Sequence, residues 1–433
     1  MRKDILLLVT FLILGGSGFA QWTNVGRFPA DTATDTLLGD GHAVAVDPDG
    51  KVWVSAYSYT DSVNTDTGYV STRSIYVFNP DGTQASFSPF NILQGNGVTD
   101  TLWYSTRGMK EDHEGNILYM TGWPTMYRLD YKTGAVLNKV DLDVAATMTS
   151  PTAPGVDSAG NIYVEPVLPG EPVHMYDKDF NYLGNAIDST SAYARTTEVS
   201  PDGLDLYLMA YTASGIYIYH RDDEFSQFEL QDSLLGFKTE AANWNPATGR
   251  LWAGAGTAGY ADPGMFGNYQ LSSHAYYEID VENKTVTDSL FWVVEGSDLS
   301  AERQRGIAFS PDGQTAYLVA FGGADYSLVQ KVVKGSTDVE KLDGTPVSYQ
   351  LAQNYPNPFN PATTINFSIP EAAMVSLKVY DILGKEVATL LNEEKTSGIY
   401  SVSFDASNLP TGTYIYKIAA GNFVSTRKML LLK

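Results

Sequence analysis

One short pattern governs most of this chain: an apolar strand, a tight turn built from Asp, Pro and Gly, and a second strand ending in an aromatic residue. Its clearest copy is Val44-Ala-Val-Asp-Pro-Asp-Gly-Lys-Val-Trp-Val54. Variants recur at 109–119, 154–163, 199–207, 244–252 and 309–317, with turn glycines Gly50, Gly115, Gly160, Gly203, Gly249 and Gly313. Gly and Asp suit such turns because one tolerates positive φ and the other bonds its own backbone. Six copies spaced roughly one propeller blade apart mean that one supersecondary unit stacks on copies of itself, since no unit buries both faces alone.

Each copy is followed by a third apolar segment, such as Ser74-Ile-Tyr-Val-Phe78 or Gly215-Ile-Tyr-Ile-Tyr219, then a polar turn and a fourth, weaker one. Four antiparallel strands per unit and six units predict a six-bladed β-propeller over residues 21–342, which leaves only short sheet edges. Trp22 to Phe28 either adds an outer strand to the last blade or stays out of the ring. In the Val-Asp-Pro-Asp-Gly-Lys-Val-Trp run at 46–53 and Phe-Ser-Pro-Asp-Gly at 309–313, the chain resembles the NHL-repeat and gluconolactonase-like propellers.

Turn-forming and polar residues end the repeat, which places a linker at 343–350. Residues 351–433 read as a small β-sandwich of about seven strands, with glycine turns roughly every ten residues. They carry Asn354-Tyr-Pro-Asn-Pro-Phe-Asn-Pro361, Val375-Ser-Leu-Lys-Val-Tyr-Asp-Ile-Leu-Gly-Lys385 and Leu409-Pro-Thr-Gly-Thr-Tyr-Ile-Tyr-Lys417. These blocks resemble the type A C-terminal sorting domain of the type IX secretion system, and are similar to the immunoglobulin-like domain of flagellar hook-capping proteins. The fold class expected is therefore all-β, a six-bladed propeller followed by an immunoglobulin-like β-sandwich. The resemblance implies that residues 351–433 engage the type IX secretion machinery, and that the propeller passes the periplasm to the medium or the outer surface of a Gram-negative bacterium. At the other end, Arg2 and Lys3, an apolar run from Ile5 to Leu14 and Gly18-Phe19-Ala20 have the form of an export signal occupying residues 1–20, cleaved between Ala20 and Gln21. No transmembrane segment is expected in the mature protein.

The net charge is −22; residues 1–20 and 349–433 each sum to +1, so residues 21–348 carry −24. So acidic a body repels nucleic acid, which is not expected as a partner. The absence of cysteine excludes disulfides, thiolate metal sites and a cysteine nucleophile.

In a propeller blade the Asp turns lie at one end of the inner strand, and the residues before it lie at the other, near the axis. Counting eight residues back from each turn glycine, nine in the fifth repeat, gives His42, Arg107, Thr152, Arg195, Glu240 and Arg305. Four residues after the second-strand aromatics stand Tyr57, Trp123, Tyr211 and Phe321. This predicts a cationic, aromatic-rimmed channel mouth suited to an anionic small molecule or a glycan. Long connections at 58–73, 89–106, 253–275 and 290–304 are expected to gather on the same face. The resemblance to gluconolactonase-like propellers implies an alternative, a metal-dependent hydrolase or lactonase with a divalent ion at the channel mouth, for which the candidates here are Glu165, Glu240 and Asn243. Three arginines near that point oppose a dication. The five histidines share no ring, and no Gly-x-Ser-x-Gly nucleophile occurs. The reading favours a binding or scaffold protein with no cofactor over an enzyme.

Overall fold

The computed structural model describes residues 22–29, 41–65, 68–142, 150–211, 215–224, 226–235, 237, 239–255, 275–291, 303–321, 329–334, 340–342, 348–406 and 409–432. The expected export signal with its Ala20–Gln21 cleavage point, and most of the connections at 253–275 and 290–304, lie outside them. Among the described residues every regular element is a β-strand. None is a helix long and apolar enough to cross a membrane.

The chain divides after Lys334, with Gln21–Lys334 forming one unit. Within it, among the described residues, strands pair antiparallel into six sheets of three or four strands, with two further two-stranded hairpins. Their inner strands are Gly41–Val46, Thr106–Glu111, Gly155–Val156, Ala194–Val199, Ala242–Asn245 and Arg303–Phe309. Each inner strand lies beside the next, and the last returns to the first. The apolar core obeys the same ring. Six buried clusters fill the six spaces between neighbouring sheets. Trp53 points into the space shared with the second sheet, while Val54 points into the one shared with the sixth. Strands buried on both faces read as unbroken apolar runs, which is why the repeat lacks polar alternation.

Trp22–Phe28 settles how the ring closes: it pairs antiparallel with Val329–Lys334 as the outer strand of the sixth sheet. Trp22 is buried edge-on against Trp252 at 5.4 Å, and its indole N–H donates to Asp288 at 3.1 Å. The first sheet has three strands rather than four. Isolated bridges from Gln84 and Phe90 stand beside its third strand, in a stretch interrupted by Pro89, which offers no N–H. The connection at 89–106, expected over the channel mouth, instead contains the hairpin Ile92–Gly95/Val98–Thr101. This hairpin packs on the outer strand of the second sheet, where Asn96 donates to the Leu137 carbonyl at 2.9 Å and Asp100 meets Lys139 at 2.8 Å.

In the second unit, two four-stranded sheets sandwich one core. Ile365, Phe367 and Val402 of one sheet meet Leu377, Val379 and Ile418 of the other. Glu340–Leu342, expected to belong to the propeller, pairs with Gly398–Asp405 of this sandwich, so the boundary falls earlier than 343–350. The Asn-Tyr-Pro-Asn-Pro-Phe stretch locks the sandwich edge. Asn354 is buried and donates to Thr363, Tyr416 receives the Asn354 N–H, and the Asn357 side chain accepts from Leu430 N–H.

Because Trp22 fills the last inter-sheet space, Trp22→Ala should destabilise the propeller by about 3–5 kcal/mol. A urea titration should show a lowered midpoint at unchanged slope. A loss under roughly 1 kcal/mol would mean that the outer strand does not hold the ring shut.

Candidate functional site

Four inner strands carry an irregularity at the same place. His42 is the extra residue between Gly41 and Ala43, which oppose the consecutive Ala56 and Ser55. Arg107 is extra between Thr106 and Gly108, Arg305 between Gln304 and Gly306, and Arg195 falls in the irregular stretch between Ala194 and Thr197. A β-bulge breaks the in-out alternation of a strand and re-aims one side chain. Two of the arginines are followed by glycine because the neighbouring inner strand is so close. A Cβ on Gly108 would lie 2.5 Å from the Ala153 Cα, and one on Gly306 2.9 Å from Val44 Cγ1.

The re-aimed side chains converge. His42, Arg107, Arg195 and Arg305 from four inner strands, with Thr152 and Glu240 from the segments leading into the other two, line a single cavity with room for about one water-sized group. Its charges are unequally matched. The Arg305 guanidinium contacts the Glu240 carboxylate directly, both side chains being buried, and Arg195 Nε lies 3.8 Å from the same carboxylate oxygen. Arg107 has no ion-pair partner among the described residues, and its buried Nε meets no acceptor. Burial, and then the charges of Arg305, Arg107 and Arg195, push the His42 imidazole well below its ordinary range, so it is neutral at pH 7. Burial and the neighbouring Arg195 also push Arg305 down.

Two of the expected aromatics stand beside this cluster. The Tyr57 ring is 5.3 Å from His42 and 5.7 Å from the Arg107 guanidinium, and Tyr211 lies 5.2 Å from that of Arg195. Trp123 does not join them. Gly122 N–H donates to the Ser105 carbonyl at 2.6 Å, and a Cβ there would lie 3.2 Å from Arg107 Nε. Gly122 therefore takes the place beside the arginine, and Trp123 is 61% exposed, stacked on Tyr104 at 5.4 Å. Phe321 ends the strand Thr315–Phe321 opposite Arg303, and its side chain is outside the described residues.

The three candidate metal ligands serve other partners. Glu165 is fully buried and accepts from Thr197 at 3.0 Å, and burial pushes its carboxyl well up. Glu240 holds Arg305, while Asn243 Oδ1 accepts from the Lys110 ammonium at 2.6 Å. Among the described residues no three His, Asp or Glu side chains are grouped to hold a metal ion. Below the mouth Lys110 spans the channel to Glu198, its Nζ 2.7 and 2.8 Å from the two oxygens. Burial pushes Glu198 up, and the Lys110 charge works against that. These residues were missed because only strand starts were counted. Five residues before the turn glycine, six in the fifth repeat, the same spacing reads Ala45, Lys110, Gly155, Glu198, Asn243 and Ala308.

Residues 353–432 match the secretion system C-terminal sorting domain. That domain indicates export through the type IX secretion system to the cell surface or the medium of a Gram-negative bacterium, the destination expected from the sequence. A gluconolactonase of Xanthomonas campestris is 14% identical, with 74% of this chain and 99% of that one covered at a TM-score of 0.46. A β-propeller domain from Myceliophteria thermophila is 11% identical, with 73% of this chain and 100% of that one covered at 0.42. No curated protein sequence matches.

The depressed His42 gives a signed expectation. In the unfolded chain it binds a proton below about pH 6.5, while the folded cluster resists it, so its contribution to stability falls as pH drops through that value. The slope is at most about 1.4 kcal/mol per pH unit. Chemical denaturation at stepped pH should show His42→Gln losing less stability than the parent between about pH 6.5 and 5. Parallel curves would mean that His42 protonates in the folded protein as readily as in the unfolded one.

Proposed function

We propose that the exported propeller is a binding protein that holds an anionic group at its channel mouth, on Arg107 and Arg195 beside the neutral His42. The observation that carries this is the Arg107 guanidinium, pushed down by burial and lacking a carboxylate partner among the described residues. The nearby Glu240 carboxylate already serves Arg305 and, at longer range, Arg195. A half-buried cation with no carboxylate partner is costly, and an entering carboxylate or phosphate oxygen offsets that cost through charge-assisted hydrogen bonds. An anion placed there favours the charged imidazole, so binding takes up a proton at His42 as the solution is acidified. The metal-dependent alternative calls on Glu240 and Asn243, both engaged by cationic side chains, and no observation favours it.

Arg107→Ala is the clean variant, because Arg305→Ala strands Glu240 and should cost about 3–5 kcal/mol of stability. Calorimetric titration with acetate, phosphate and glucuronic acid should show at least one anion bound by the parent. Arg107→Ala should weaken it roughly 10- to 100-fold at similar thermal stability. No binding by the parent, or equal binding by the variant, rejects the site.

For export, the unit boundary sets the deletion: removing Gly335–Lys433 leaves Gln21–Lys334 entire. This truncated chain should collect in the periplasm. Its recovery from the medium would show that the sorting domain is dispensable.

A further inference from the structure

We infer that the ligand is an otherwise neutral oligosaccharide ending in one acidic sugar, the acid seated at Arg107 and the adjoining sugar ring laid on the Trp123–Tyr104 pair. This rests on the anion-binding reading above and names its substrate class.

The acid-binding and stacking surfaces are continuous in the chain. Tyr104 stands three residues before Arg107, and Trp123 follows Gly122, whose missing side chain leaves that backbone beside the Arg107 Nε. The two rings lie within 24° of parallel, yet Trp123 is 61% and Tyr104 47% exposed. The pair therefore offers a flat apolar face to solvent, joined through Gly122 to the backbone beside the half-buried Arg107. At the fourth sheet, Tyr193 meets Tyr211, which borders Arg195. A pyranose complements this arrangement: its C–H face covers an aromatic ring while its hydroxyls stay in water.

Charge restricts the ligand further. The cavity has room for about one water-sized group, so at most one acid meets the mouth. Residues 21–348 carry −24, so a chain with an acid on every sugar is repelled everywhere except at the mouth. A nucleic acid, which would also stack on exposed aromatics, is repelled for the same reason. One terminal acid on neutral sugars satisfies both limits.

Calorimetric titration of the exported protein separates the possibilities. The probes are glucuronic acid, xylotriose bearing one terminal glucuronic acid, xylotetraose, tetragalacturonic acid and a four-residue peptide with a free C-terminal carboxylate. The glucuronylated xylotriose should bind at least about 10-fold tighter than glucuronic acid and than each other probe. In W123A the ratio of its affinity to that of glucuronic acid should fall to about one, whereas R107A should weaken both. Equal binding of the acid and its oligosaccharide, an unchanged ratio in W123A, or tighter binding of tetragalacturonate or the peptide overturns the inference and leaves the anion site standing. If no acidic probe binds, the anion site itself has failed.

Discussion

The propeller depends on one polar side chain, buried or half-buried, at the start of each inner hairpin turn. Asp47 Oδ1 accepts the N–H groups of Asp49 and Lys51 at 3.0 and 2.9 Å, and its Oδ2 accepts the Trp53 indole N–H at 2.9 Å. Asp112 repeats this with Glu114 and Asn116, and reaches Arg128 on the third strand at 2.6 Å. Each carboxylate satisfies turn donors and pins the second or third strand of its own sheet. Ser200 and Ser310 fill the role with a hydroxyl, each helped by the aspartate two residues on, and Asn245 with an amide that also reaches the Gly313 carbonyl of the next sheet. Three chemistries in one geometric office explain why the repeat varies in letters. The turns also touch: a Cβ on Gly160 would lie 2.6 Å from the His113 ring, and one on Gly115 would collide with Pro48. Glycine is required there both for positive φ and for this approach.

With one end of every inner strand fixed, residue count alone sets what stands at the other. The bulge then decides which side chain leaves the sheet. Two layers of the channel follow from this phase, a mouth of His42 and three arginines and, below it, the Lys110–Glu198–Asn243 bridge. The layers differ in how their charges are met. Lys110 has a carboxylate and an amide within 2.8 Å, whereas at the mouth Glu240 serves two guanidiniums and Arg107 has no carboxylate among the described residues. Cations are concentrated at the mouth of a body that is otherwise strongly acidic, and that contrast is what the proposed anion site rests on.

Much of this was legible because burial on both faces forces apolar runs and tight turns force Asp and Gly. Six units, their order and the six mouth positions all follow from those two signals. Trp22–Phe28 was ambiguous because Trp-Thr-Asn-Val-Gly-Arg-Phe has neither signal, and only its pairing with Val329–Lys334 assigns it. The bulges left a trace, the Arg-Gly pairs at 107–108 and 305–306, that is meaningful only once the neighbouring strand is known to approach. Trp123 was misplaced because counting positions along a strand ignores backbone contacts, and the Gly122–Ser105 hydrogen bond sends the ring outward. Glu340–Leu342 was assigned to the wrong unit because a three-residue strand with two charged residues has no periodicity to read.

The most specific sequence in the chain and its most interesting surface obey different rules. Asn354, Asn357 and Phe359 form a recognisable motif because each makes an obligatory local contact: an amide bonded to Thr363, a backbone clasp on Leu430, a ring in the sandwich core. Few other residues supply those contacts, so the letters themselves carry information. The mouth has no such motif. Its residues stand at the starts of six sheets and are joined only by phase, so changing Arg107 or Trp123 would leave the repeat intact. A propeller can therefore keep its architecture while its specificity drifts. Function in such a chain is to be sought where side chains depart from the strand's own pairing, as Arg107 does at its bulge, rather than where the sequence repeats.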